Sequence, residues 1–85
     1  AGERKKVSLI FKEEMVGILL DRFGKEISLF PAEEPGYAIC HVDVAVSEMF
    51  YACLFSLGGA VKILGPEDIK EAYIHAMKKG LEEYR

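Results

Sequence analysis

At 85 residues with 51% hydrophobic content, the chain has room for one domain around one core. Eleven Lys+Arg against 14 Asp+Glu give a net charge of −3 and a pI near 5.4, which argues against a surface whose main task is neutralising phosphates. The apolar fraction is too high for a disordered segment, and no apolar run approaches the roughly 18 residues of a membrane span. The expectation is a folded cytoplasmic protein with no membrane partner. Asn, Gln, Thr and Trp are absent, which removes many side chains that enzymes use to orient substrates. The opening on Ala1-Gly2 rather than Met reads as a cloning scar or an internal cut, and residues 1–85 are expected to be the single C-terminal domain of a longer chain.

Val7, Leu9 and Phe11 alternate with Ser8 and Ile10, the period of a strand. Glu13-Glu14 then sets acids at a helix start, and Val16, Leu19, Leu20 and Phe23 recur at helical spacing up to Gly24. Ile27 to Phe30 reads as a short strand broken by Pro31. Glu33-Glu34-Pro35-Gly36 is a tight turn that folds it back as a hairpin onto the longest strand, Tyr37 to Val46. On that strand Ala38, Cys40, Val42, Val44 and Val46 share one side, and Tyr37, Ile39, His41, Asp43 and Ala45 the other. Ser47 is a natural N-cap for a helix over Met49 to Leu57 that is apolar on nearly every side and stops at Gly58-Gly59. Val61 to Leu64 is a fourth strand. Gly65-Pro66-Glu67-Asp68 then opens a last helix whose stripe is Ile69, Ala72, Tyr73, Ala76, Met77, Leu81 and Tyr84.

The order β-α-β-β-α-β predicts an α+β fold, a ferredoxin-like sandwich with an antiparallel sheet ordered 4-1-3-2, plus the C-terminal helix. Both crossover helices then cover one face. The other carries Ser8, Ile10, Ser28, Phe30, Ile39, His41, Asp43 and Lys62, a mixture too apolar to be idle and too polar to be core. The last helix, a partner or a ligand would cover it. Ser8, Ile10, Ile39, His41, Asp43 and Lys62 are accordingly the candidate ligand or interdomain face.

His41 and Asp43, two apart on one strand, project to the same side and could serve as metal ligands or an acid/base pair. Two ligands do not make a site. A structural zinc needs about four, and the remaining candidates Cys40, Cys53 and His75 point to the core or sit on a distant helix. Neither a nucleophile in an activating setting nor a phosphate-cradling glycine loop is present. The expectation is no catalytic residue, no metal and no cofactor. The cysteines lack CxxC spacing and read as buried, reduced thiols. Met49, Phe50, Tyr51 and Phe55 extend the apolar surface of the second helix beyond one stripe, which suits packing of the last helix or a dimer interface.

Val7-Ser8-Leu9-Ile10-Phe11, Asp21-Arg22-Phe23-Gly24, Leu54-Phe55-Ser56-Leu57-Gly58, Val61-Lys62-Ile63-Leu64 and Gly65-Pro66, in this order and spacing, resemble the C-terminal extension (WCX) domain of WYL-domain transcriptional regulators. Those are DeoR-like bacterial proteins with an N-terminal winged helix-turn-helix, and the resemblance covers nearly the whole chain. Cys53 stands where the family often has Trp, and Gly65 where it has Ser or Asp. The resemblance implies a non-catalytic module that dimerises and couples an unknown small-molecule or nucleic-acid effector to DNA affinity. Its partners would be a second copy and the parent's WYL and winged-helix domains, with DNA touched only through the missing N-terminal domain. The alternative is a free-standing ACT-like domain that binds a small molecule.

Overall fold

Val7, Leu9 and Phe11 do point to one side of a strand, and all three are fully buried. The computed structural model describes residues 3–85; Ala1 and Gly2, on which the reading of a cut chain rests, lie outside them. The strand, β1 (Arg4–Lys12), is longer than its apolar core. Arg4, Lys5 and Lys6 stay extended because each has a partner on the long hairpin strand, in the register Arg4 with Ala45 through Lys12 with Tyr37.

Glu13–Met15 forms a 3-10 turn, so α1 (Val16–Phe23) starts three residues after the acids that were expected to begin it. It ends at Gly24, whose φ of 98° is a conformation that side chains with a Cβ rarely adopt. β2 (Ser28–Pro31) pairs with β3 (Tyr37–Ala45) across the expected turn, where Gly36 also has positive φ. Pro31 is the last residue of β2, not the first one beyond it. Residues of β2 alternate in direction, and the bond from Ala32 N–H to the Tyr37 carbonyl puts Ala32, Phe30 and Ser28 on the β3 side. The N–H that Pro31 lacks would therefore point away from the sheet, where proline costs no ladder bond.

Ser47 caps α2 (Glu48–Leu57), its hydroxyl accepting from Phe50 N–H at 3.4 Å. A second 3-10 turn, Gly58–Ala60, leads into β4 (Val61–Gly65), and α3 (Glu67–Glu82) follows Pro66. The result is a mixed α/β unit with three helices and one antiparallel four-stranded sheet, ordered β2-β3-β1-β4. Counted from the opposite edge, that is 4-1-3-2.

One cluster forms the core: Val7, Leu9, Phe11, Cys40, Val42, Val61 and Ile63 from the sheet, Leu19 from α1, Phe50 and Leu54 from α2, Ile69 from α3. All three helices therefore contribute to the same side. The last helix lies beside α2, with the Tyr51 and Tyr73 rings 5.5 Å apart, so it does not cover the opposite face of the sheet.

Candidate functional site

The face left bare is built by strand register alone. Side chains directly opposite on neighbouring strands come within contact distance, which assembles two rows across the sheet. One runs Ser28, His41, Ser8 and Gly65; the next runs Phe30, Ile39, Ile10 and Lys62. Of the expected face, Ser8, Ile10, Ile39 and His41 are half-buried, while Asp43 and Lys62 are exposed. The structure brings Ser8, Ile10, Ile39, His41 and Lys62 into these two rows. Asp43 lies one row further along, opposite Lys6.

His41 is held from two sides. Its Nδ1 is 2.7 Å from Ser8 Oγ, and its ring lies against Phe30 with centroids 5.2 Å apart. A serine next to an imidazole is half of a nucleophile and base pair, but such a pair needs a third group to orient the base. Asp43, the carboxylate on the same strand face, turns instead to Arg4. The Arg4 guanidinium donates to the Asp43 carbonyl at 2.6 Å, and its Nε lies 4.0 Å from Asp43 Oδ1. Among the described residues no group of three or more His, Cys, Asp or Glu gathers as a metal site would require. What this arrangement offers is recognition: an apolar strip of Phe30, Ile39 and Ile10, a hydrogen-bonding Ser8 and His41, and charge at the margins.

Beside the His41 row, the turn after α1 approaches the ends of β1 and β3 and leaves a cleft of about 340 Å³. It is lined by Arg4, Lys6, Lys25, Ser28, His41 and Asp43, among others. A second groove of about 420 Å³, walled by Arg22, Ser47, Met49 and Cys53, shares Arg4 and Asp43 with it. Sequence reasoning placed His41 and Asp43 here but missed Arg4, Lys6, Arg22 and Lys25. Arg4 and Lys6 sit at the start of β1, Arg22 on the last turn of α1 and Lys25 in the turn that follows, where no apolar periodicity marks them.

The two cysteines part ways. Cys40 is fully buried, as expected, and burial pushes its thiol up to about 11. Cys53 is corrected: it is only half-buried, because its position on α2 faces the rim of the second groove, where Arg22 Nη1 donates to its sulfur at 3.2 Å. The expected interface on α2 also changes. Phe50 is 6% exposed and packs edge-on against Phe23, so it is core and not interface. Tyr51 is half-buried against Tyr73. Met49 at 80% and Phe55 at 69% exposure remain on the surface.

Comparison with known families gives this geometry its context. The family model for the WCX domain matches residues 3–81, and the chain belongs to that family. WCX is a regulatory domain family of WYL-type regulators and is not a known catalytic one. No curated protein matches the chain. No described helix is long and apolar enough to cross a membrane.

Proposed function

We propose that the chain is a non-catalytic dimerisation and effector-coupling domain of a bacterial transcriptional regulator, working in the cytoplasm and built as a ferredoxin-like split βαβ unit. The observation that carries this reading is the WCX match over residues 3–81. The geometry supports it with two separate exposed surfaces. The open sheet face around Ser8, Ile10, Ile39, His41, Asp43 and Lys62 receives a neighbouring domain or an effector, and Met49 and Phe55 on α2 meet a second copy. DNA is contacted by other domains of the parent, which agrees with the acidic charge of this one.

Phe55→Glu tests the helix contact. Phe55 is exposed in the single chain, so the substitution leaves the core alone, whereas a charge buried unpaired at an interface costs about 3–5 kcal/mol. Light scattering should show the variant shifted towards monomer; an unchanged dimer removes α2 from the interface.

That the chain is the tail of a longer regulator is tested by the mass of the natural product in its own cells, on an immunoblot against this domain. A band of roughly 30–40 kDa, about three small domains, is the expected result. A band near 10 kDa, the mass of about one such domain, overturns it and favours the ACT-like reading, for which the cleft at His41 is the binding site.

A further inference from the structure

Charge is divided unequally over this molecule. Lys and Arg are outnumbered 11 to 14 in the chain, yet Arg4, Lys6 and Lys25 all line the cleft beside His41, and of the 14 acids only Glu26 and Asp43 do. Asp43 is already engaged by Arg4, at 4.0 Å. Parity sets Arg4 and Lys6 on the open face with Ser8, and the turn after Gly24 supplies Lys25, so the cations stand on two walls of the cleft. His41 of β3 and Ser28 of β2, directly opposite each other, add an imidazole and a hydroxyl. With Ser8 Oγ–H donating to Nδ1, the imidazole carries its hydrogen on Nε2, a donor free for a ligand. None of the turn and loop backbone bonds among the described residues uses the N–H of Lys25 or Glu26, so the turn has donors to spare as well.

We propose that this cleft binds a small phosphate monoester, with the phosphoryl group among Lys6, Lys25 and His41 and the organic group against Phe23 and Ile27, which line the same cleft. The proposal rests on the reading of this face as an effector surface and names the class of effector. The choice of anion follows from where the donors stand. A carboxylate presents its oxygens in one plane and is met by donors from one side. A phosphate monoester presents three acceptor oxygens splayed about phosphorus and a charge of about −1.5 to −2 at neutral pH, which suits donors converging from β1, from β3 and from the turn. A phosphodiester has one free oxygen fewer and a single charge. The cleft, at about 340 Å³, lies at the small end of ligand pockets, which run from about 300 to 1,000 Å³, so the ester group is small.

The test is a titration of the nitrogen-15-labelled chain, followed by amide NMR shifts at constant ionic strength. Phenyl phosphate should give saturable shifts confined to residues 4–6, 24–28 and 41–43, and should bind more tightly than inorganic phosphate, which lacks the group that meets Phe23 and Ile27. Succinate, dimethyl phosphate and a short oligodeoxythymidylate without a terminal phosphate should not saturate. Lys6 and Lys25 are exposed, so Lys6→Ala and Lys25→Ala leave the core alone. Each should weaken phenyl phosphate by about tenfold, the worth of one charge-assisted hydrogen bond, while Lys78→Ala on α3 should leave it unchanged. No saturation by phenyl phosphate, equal binding of succinate or of the oligonucleotide, or an affinity that survives both lysine substitutions would each overturn the proposal. The regulator reading fails instead on the immunoblot mass, which this titration does not touch, so the two failures are distinct.

Discussion

Phe11→Ala should lower the unfolding free energy by about 3–5 kcal/mol, measured by urea denaturation followed by circular dichroism. Phe11 is the largest fully buried side chain, at the end of the β1 row where Val61 of β4 lies opposite it. Removing its ring deletes apolar burial and leaves a cavity that a two-layer fold can collapse only in part. Total stabilities for domains run to about 5–15 kcal/mol, and a chain this small belongs to the low end. The variant should therefore be largely unfolded near body temperature. An unfolding midpoint within a few hundredths of a molar of the parent would contradict the assignment of Phe11 to the core.

The second large effect is a loss of stability at alkaline pH. The Cys40 thiol is held protonated by burial up to about 11, against 9.0 for an exposed cysteine. The unfolded chain thus releases this proton first. Its contribution is fully present below pH about 9 and is lost as the pH rises from there towards about 11, by roughly 2–3 kcal/mol in all. Burial also raises the Tyr73 hydroxyl above the ordinary tyrosine value. The difference between the parent and Cys40→Ala isolates the cysteine. The variant starts lower but should decline less steeply between pH 9 and 11, and parallel curves would show that Cys40 is not desolvated in the folded state.

The strand order and the hairpin were legible because each strand carries its period on residues that sheet pairing must bury, and because Pro35-Gly36 dictates a reversal. Ser47 was legible as a cap for a similar reason: a hydroxyl directly before an apolar helix has few other uses. The start of β1 was not. Arg4, Lys5 and Lys6 have no strand signature of their own and are extended only because β3 runs long enough to pair with them. Phe50 was misplaced because a helix apolar on nearly every side has no phase, so nothing in the sequence tells its inward residues from Met49 and Phe55. The open face was read correctly as a set of positions, since parity assigns a side chain to a face. Its hydrogen bond between Ser8 and His41, and the cation-lined cleft next to it, depend on register between strands more than 30 residues apart in the chain. No local pattern encodes that.

The pair of rings where α3 meets α2 has a practical consequence. The chain has four tyrosines and no tryptophan, so its near-ultraviolet absorption and emission belong largely to tyrosine. Tyr51 and Tyr73 lie 5.5 Å apart with planes inclined by 39°, close enough for their transitions to couple and to give a chiral signal that isolated phenols lack. The molecule thus carries an optical gauge at the joint between its last helix and the rest of the fold. A helix that swings away when a neighbouring domain docks can be followed there without adding a label.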